Sequence, residues 1–336
     1  MPPMSGHFRQ HAWRNAALRI AGSALILALL FHFVPFAEVW RALRRLPPLL
    51  WLAVLAGYFC VHLAGINKYK LMLNGAGAGL NFAQAARCYF AGLFSTLFLP
   101  SVAGGDVVKA GLALRLGRSK AGVLLGSLLD RTLDVIALIT LATLGVLLVP
   151  GALRPSDRHG FLLVLVSLVG LGLLAALAVA LLPARRFSFR MRRRMVRLRD
   201  AGRSMVRRPR RMLAALGLAF VTQLGFLTLT TVIAAACGLH LPYRAWLFAW
   251  PLAKISAFLP ISQAGIGVRE AALAALLVPF GAAGGVVVGV GLAWETIVIA
   301  AGLIAGLISF LIGRLPAGQA RPLETGVVER LGTRPS

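Results

Sequence analysis

The chain has 336 residues, of which 59% are hydrophobic and only 14% charged, and its mean hydropathy is +0.82. Soluble domains are about half apolar and a quarter charged, so this composition excludes a water-soluble protein. The net charge of +26 would suggest nucleic acid as a partner if it were spread over one surface. However, 13 of the 36 basic residues lie between Arg185 and Arg211, in a segment that separates two apolar runs. No nucleic acid is therefore expected.

Apolar runs of about 18 residues or more can cross the hydrocarbon of a bilayer as helices. Two apolar regions of this chain, 82–116 and 245–280, are not continuous, because Pro and Gly break each of them in the middle. A helical arm follows each break, Val107–Leu116 in the first region and Val268–Val278 in the second. The two breaks resemble each other, which is consistent with an internal repeat or with chance in so apolar a composition. The uninterrupted runs predict six full transmembrane helices, at 16–34, 49–66, 121–149, 161–182, 212–238 and 284–312.

The distribution of Lys and Arg predicts the topology, because basic segments next to spans remain in the cytoplasm. If both broken regions are re-entrant hairpins and the N-terminus is cytoplasmic, the Arg-rich loop 183–211 falls inside. If the first region were a full span instead, that loop would fall outside, so the charges favour a hairpin there. They leave open whether the second region is a hairpin or a full span. The topology with two hairpins leaves six basic residues outside: Arg41, Arg44, Arg45, Arg154, Arg158 and Arg244.

The sequence thus predicts an all-α integral membrane protein with about six full transmembrane helices and two inverted re-entrant hairpins. Residues 1–312 are expected to form one polytopic domain with the cytoplasmic Arg-rich loop 183–211. Residues 313–336 are expected to be a short, disordered cytoplasmic tail. The expected location is the cell (inner) membrane, with multiple passes and both termini in the cytoplasm. Inverted broken helices that meet near the midplane surround a substrate site in many transporters.

The first break predicts a binding site at Gly104, Gly105, Asp106 and Lys109. The glycines are expected to open a half-helix whose free N–H groups favour an anion. Asp106 could cap this helix or bind a cation or proton, and Lys109 lies one turn further on the same face. The alternative is an ordinary capped turn, but a charge at membrane depth is costly and favours a functional role.

The second break predicts a matching site at Gly265, Gly267, Arg269 and Glu270. The glycines again precede a helical arm. Arg269 could hold a phosphate through its bidentate guanidinium, or Glu270 could simply neutralise it.

Four more charged residues lie inside predicted spans: Asp130, Arg131, Asp134 and Glu295. Asp130 and Asp134 share one helix face, and Arg131 is within reach of Asp134. Arg131 is a candidate for substrate binding, while Asp130, Asp134, Glu270 and Glu295 are candidates for neutralising charge or coupling a proton. A structural ion cluster is the alternative for the first three residues.

Three motifs resemble the transmembrane, flippase-like region of the lysyl-phosphatidylglycerol synthases, over about residues 12 to 312. Two positions depart from that family, since Lys109 stands where Arg is more frequent and Asp130 where Glu is more frequent. The lysyl-transferring members carry a soluble aminoacyltransferase domain after the membrane region, and only about two dozen residues follow Arg314 here, so lysyl transfer is not expected. The motifs are Leu99-Pro100 through Gly104-Gly105-Asp106 and Lys109; Asp130-Arg131 with Asp134; and Leu259-Pro260 through Gly265-Ile266-Gly267-Val268-Arg269-Glu270.

The resemblance implies the translocating half of these proteins: a lipid transporter or flippase that moves a lipid with a phosphate-containing or otherwise polar headgroup between leaflets. No enzymatic activity, cofactor or metal is expected. The expected partners are membrane lipids, with anionic headgroups at the Arg-rich loop, and a separate lipid-synthesis enzyme could also bind. Two alternatives remain open, an integral-membrane lipid-modifying transferase and a non-catalytic partner of a lipid-synthesis enzyme.

Overall fold

The computed structural model describes residues 36–99, 101–149, 196, 202, 207–256 and 267–314. Within these residues the chain forms helices and no strand, as the sequence predicts, and a short 3-10 turn spans Val278–Phe280. The predicted spans 16–34 and 161–182, most of the Arg-rich loop and the tail beyond Arg314 lie outside the described residues. The nine helices are α1 (Phe36–Arg44), α2 (Pro48–Gly75), α3 (Phe82–Ser95), α4 (Ser101–Leu116), α5 (Lys120–Leu148), α6 (Pro209–Ala236), α7 (Tyr243–Ser256), α8 (Val268–Leu277) and α9 (Gly284–Arg314).

Four of these helices, α2, α5, α6 and α9, are long and apolar enough to cross a membrane. They contain 28 to 31 residues, and their most apolar stretches have mean hydropathies of 1.8 to 2.4. They coincide with four of the six predicted spans. Helix α2 continues to Gly75, so Lys68, which lies beyond the predicted span 49–66, is within the helix.

The two broken regions each form a pair of short helices. Helices α3 and α4 have 14 and 16 residues, and α7 and α8 have 14 and 10. At 1.5 Å per residue the longest of them reaches about 24 Å, short of the roughly 30 Å of hydrocarbon. The predicted interruptions are therefore confirmed. One boundary was wrong: the arm after the first break begins at Ser101 rather than Val107, so Gly104 and Gly105 lie inside α4.

Each pair of short helices returns to the end at which it began. The backbone N–H of Arg118, just after α4, donates to the carbonyl of Ala78, just before α3, over 2.9 Å. In the second pair, the ring of Phe248 near the start of α7 lies 6.0 Å from the ring of Phe280, which follows α8. Both pairs are thus helical hairpins.

The connections between helices gather at two opposite ends of the bundle. At one end, the Ser309 hydroxyl near the end of α9 donates to the Arg87 carbonyl at the start of α3, over 3.0 Å. At the other end, the Arg45 side chain after α1 lies against Gly238 after α6, and Glu38 of α1 lies against Gly285 at the start of α9. Helix α2 runs from the end of the bundle that holds α1 to the opposite end, where α3 and the first hairpin begin. The second hairpin follows α6 and begins at the α1 end, so the two hairpins start from opposite ends.

Several helix starts follow from local sequence. Asn81 and Gln84 form a capping box on α3, in which the Asn81 side chain accepts from the Gln84 N–H at 2.8 Å and the Gln84 side chain accepts from the Asn81 N–H at 3.0 Å. The Ser119 hydroxyl caps α5 in the same way at 3.0 Å. Pro48 and Pro209 begin α2 and α6, where a missing N–H costs nothing.

Candidate functional site

A cavity of about 230 Å³ lies at the tips of the two hairpins. The first hairpin contributes Thr96 from the end of α3 and Asp106 from α4. The second contributes Lys254 from the end of α7 and Arg269 from the start of α8. The two broken regions, which the sequence singled out separately, therefore line a single cavity.

The cavity wall is highly charged for a space between apolar helices. Half of the ten acidic residues of the chain are at this place, four in the wall and Glu270 directly behind Arg269. Burying such charges is costly unless each has a partner. The wall contains five cations and four carboxylates: Lys68, Lys109, Arg131, Lys254, Arg269, Asp106, Asp130, Asp134 and Glu295.

The first group of ion pairs is centred on the buried Asp130 of α5. Its carboxylate lies 3.1 Å from Lys68 Nζ of α2 and 2.9 Å from Lys109 Nζ of α4. Lys68 also pairs with Asp134 at 2.6 Å, and Lys109 pairs with Asp106 at 3.2 Å. Asp130 thus joins three helices through two lysines, neither of which is more than 10% exposed.

This group extends in both directions through weaker contacts. Arg131 Nε lies 3.3 Å from Asp106 Oδ2. Gln223 of α6 donates from Nε2 to Asp134 over 3.2 Å, and its Oε1 accepts from Lys254 Nζ over 2.7 Å. Because an ammonium can only donate, the contact with Lys254 fixes which way the Gln223 amide points. A polar chain therefore connects α2, α4, α5, α6 and α7.

The second group of ion pairs surrounds Arg269 at the start of α8. Its Nη2 lies 2.6 Å from Glu270 Oε1 and 2.8 Å from Glu295 Oε1 of α9. The other Glu270 oxygen accepts from the Gly267 N–H at 2.7 Å. Gly267 has a φ of +87°, a backbone conformation that residues other than Gly rarely adopt. This turn directs the Gly267 N–H at the Glu270 carboxylate.

Aromatic side chains complete the wall. Lys254 Nζ lies 4.6 Å from the Trp250 ring centroid and 4.8 Å from that of Phe226. The His62 ring packs 5.0 Å from Phe226, and its Nδ1 lies 3.1 Å from the Tyr89 hydroxyl. Charged and aromatic surfaces side by side suit a ligand with a polar and an apolar part.

Helices α3 and α4 come close at Gly92 and Gly105. A Cβ at Gly92 would lie 2.9 Å from the Gly105 carbonyl oxygen and 2.9 Å from Lys109 Cβ. The absence of side chains at these two positions lets α4 bring Asp106 and Lys109 to the cavity. Gly105 therefore allows the close packing of α3 and α4 and also lines the cavity.

We expect Gly92→Leu to lower the thermal unfolding midpoint in detergent and to reduce the free energy of unfolding by about 1–3 kcal/mol, because overpacking separates α3 from α4. The matched control is Gly111→Leu, also in α4, where a Cβ meets nothing within 4 Å. This control should unfold at or above the wild-type temperature, since Gly is a poor helix former. Equal destabilisation by both changes would contradict the packing role of Gly92.

Most of the residues predicted from sequence meet at this site. The cavity wall includes Gly105, Asp106, Lys109, Asp130, Arg131, Asp134, Arg269 and Glu295, with Glu270 and Gly267 directly behind Arg269.

Some predicted details differ in the structure. Gly104 packs against Leu99, and Gly265 lies outside the described residues. Arg131 was expected to reach Asp134, but it pairs with Asp106, and Asp134 pairs with Lys68. Asp106 does not cap its helix, because α4 begins five residues earlier.

The sequence did not single out Lys68, His62, Gln223 or Lys254, all of which line the cavity. A usable signal existed for Lys254, since it is a charge within the apolar region 245–280, and such charges usually face a cavity. Lys68 lies beyond the predicted span 49–66, near a second lysine, Lys70, and carried no such signal. His62 and Gln223 carried no comparable signal.

Within the residues that the structure describes, no group of three or more His, Cys, Asp or Glu side chains could hold a metal ion. Comparison with protein families shows that residues 16–306 match the model described as the lysylphosphatidylglycerol synthase TM region. This match covers most of the chain, so the protein belongs to that family, as the motifs indicated. No curated protein matches the chain. Membership of the family, together with the four long apolar helices, indicates a multi-pass membrane protein with a function related to membrane lipids.

Proposed function

We propose that this protein moves a lipid with a phosphate-containing or otherwise polar headgroup between the two leaflets of the membrane. The observation that supports this most strongly is the single charged cavity lined by both helical hairpins. Without such surroundings a polar headgroup crosses hydrocarbon only very slowly, because each unsatisfied polar group costs several kcal/mol there.

The size of the cavity supports a headgroup as the ligand. At about 230 Å³ it is smaller than the roughly 300–1,000 Å³ of pockets that enclose a drug-sized molecule. A headgroup would occupy the cavity while the acyl chains remain in the lipid around the bundle. The cations Lys109, Arg131 and Arg269 would hold the phosphate by exchanging a carboxylate for a phosphate oxygen. The carboxylates Asp106, Asp134, Glu270 and Glu295 would neutralise the cations or bind a coupling proton.

Transport is testable with the purified protein in vesicles that contain a fluorescent phosphatidylglycerol analogue and a leaflet-selective quencher. Wild-type protein should make the analogue in the inner leaflet accessible to the quencher, and the double change Arg131→Ala with Arg269→Ala should reduce the rate at least tenfold. Lys70→Ala is the control, because Lys70 lies over the Phe82 ring, away from the cavity wall. Movement that survives the double change would exclude the proposed site. A covalent lipid product without movement would favour the lipid-modifying transferase.

We further propose that both hairpins are re-entrant in the cell (inner) membrane and that the two termini are cytoplasmic. The gathering of the connections at two ends supports this topology. With cytoplasmic termini, the charge pattern assigns 67–81 and 114–120 to the cytoplasm, and these segments meet at Ala78 and Arg118. It assigns 35–48 to the outside, and Arg45 of this segment meets Gly238 at the end of the predicted span 212–238. Re-entrant helices are tolerated where protein or a cavity surrounds their ends.

Cysteine labelling in intact cells tests this topology. A cysteine in place of Arg115 should react with a membrane-impermeant maleimide only after the cells are opened, because we place it in the cytoplasm. A cysteine in place of Arg154 should react in intact cells. The native Cys60 should first be replaced by Ser, since it is exposed on the surface of the bundle. Labelling of both positions from the same side would contradict the first re-entrant hairpin.

A further inference from the structure

We propose that Lys254 and His62, which both contact the ring of Phe226, form a phosphate subsite in the cavity. This inference rests on the proposed function and deepens it, since it assigns the anionic oxygens of a phosphodiester headgroup to two residues outside the motifs of the sequence. The ligand chemistry is that of a singly charged phosphodiester, which matches one ammonium.

Lys254 differs from the other cations of the cavity wall. Among the described residues, Lys68, Lys109, Arg131 and Arg269 each lie within 4.0 Å of at least one carboxylate, and Lys254 does not. Within the described part of the chain, its Nζ donates once, to Gln223 Oε1 at 2.7 Å, and otherwise contacts the faces of Trp250 and Phe226. An ammonium has three N–H donors. Donors of Lys254 are therefore available to an anion without displacing a carboxylate.

His62 supplies the second, independent observation. Its side chain is 5% exposed and lines the cavity, and in the described part of the chain its Nε2 has no hydrogen-bond partner. In the proposed subsite the Tyr89 hydroxyl, which lies 3.1 Å from Nδ1, donates to it. A neutral imidazole has one acceptor and one donor nitrogen, so in this arrangement Nε2 carries the proton. A buried N–H donor without a partner is unfavourable, and a ligand oxygen that accepts from it would relieve this cost.

The Phe226 ring contacts both groups. Its centroid lies 5.0 Å from that of the His62 ring and 4.8 Å from the Lys254 ammonium. A phosphodiester has two anionic oxygens, so it can accept from Lys254 through one and from His62 Nε2 through the other. Carboxylates of the cavity wall do not compete for Lys254 at contact distance. This is the place where an entering phosphate meets the least competition.

The test is lipid binding to the purified protein in a neutral detergent, measured by native mass spectrometry. The probes are dioleoyl phosphatidylglycerol, dioleoylglycerol, which lacks the phosphate, and inorganic phosphate. Lys254→Gln should weaken phosphatidylglycerol binding about 10- to 100-fold, because it removes a hydrogen bond from a charged donor. His62→Gln should weaken it about 3- to 10-fold, because it removes a hydrogen bond from a neutral donor. Binding of dioleoylglycerol should not change. Lys254→Arg should stay within about threefold of wild type, as should the control Lys70→Gln, and all variants should keep the wild-type unfolding temperature within a few degrees.

The outcomes separate this subsite from the transport function. Weaker phosphatidylglycerol binding by both variants, with no lipid movement by the wild-type protein, would leave the subsite intact and refute transport. Lipid movement with unchanged binding of both phosphate probes would refute the subsite alone. Loss of inorganic phosphate binding without loss of phosphatidylglycerol binding would assign the subsite to free phosphate. A wild-type protein that binds phosphatidylglycerol no more tightly than dioleoylglycerol, and binds no inorganic phosphate, would also overturn the subsite.

Discussion

Replacing Asp130 with Asn should lower the free energy of unfolding by about 3–5 kcal/mol, the usual cost of removing one partner from a buried ion pair. The carboxylate is 2% exposed and lies at 3.1 Å from Lys68 and 2.9 Å from Lys109. An amide of the same shape leaves both ammonium groups buried with less compensating charge. Among the described residues, Lys68 keeps Asp134, and Lys109 keeps only Asp106, which is 33% exposed. Unfolding in mixed detergent micelles, followed by circular dichroism, measures this loss.

Asp106→Asn is the matched control, because it makes the same chemical change on another partner of Lys109. Its carboxylate is 33% exposed, so the loss should be about 1 kcal/mol or less. The double change Asp130→Asn with Lys109→Gln should be less harmful than the sum of the two single changes, because it removes both members of one pair. Equal losses for Asp130→Asn and Asp106→Asn would show that burial does not determine the strength of these pairs.

The second large effect is expected for Arg269→Gln, which should also cost about 3–5 kcal/mol of unfolding free energy. This guanidinium is 16% exposed and lies between Glu270 at 2.6 Å and Glu295 at 2.8 Å. Without it, two carboxylates that are 0% and 10% exposed would face each other without a cation. Glu270 also accepts from the Gly267 N–H at 2.7 Å, so repulsion from Glu295 should loosen the start of α8 as well.

Arg131→Gln is the corresponding control, since its guanidinium is 31% exposed and its loss should cost about 0–1 kcal/mol. Adding Glu295→Gln to Arg269→Gln should recover part of the stability, because only one buried carboxylate then lacks a cation. The same unfolding measurement applies to all four proteins. If the added Glu295→Gln lowers stability further, the two carboxylates do not share Arg269 as the distances indicate.

The helices could be predicted well because each one follows from a local property. The long apolar runs gave α2, α5, α6 and α9, and the interruptions in 82–116 and 245–280 gave the four short helices. The boundary at Ser101 was missed because Gly104 and Gly105 are poor helix formers. Their place inside α4 depends on the close contact with Gly92, which is a tertiary effect.

The site could be predicted in composition but less well in its pairing. Asp106, Lys109, Arg131 and Arg269 stood out because charges are rare in apolar segments. Their partners could not be derived, since helical spacing indicates only neighbours on the same helix. The pairing of Asp134 with Lys68 joins α5 to α2 across 66 positions of the chain, and spacing rules do not reach that far.

The ion pairs around Asp130 also bear on how the protein enters the membrane. Helix α5 carries Asp130, Arg131 and Asp134, and an Asp or Arg at the centre of a single helix opposes insertion by about 2.5–3.5 kcal/mol. Lys68 imposes a similar cost on α2. When the two helices lie together, its contacts with Asp130 and Asp134 offset the insertion cost of both helices. Helix α2 is synthesised first, so we expect it to remain beside the insertion machinery until α5 arrives. The order of synthesis thus makes these two helices a unit of biogenesis, although two other helices separate them in the chain.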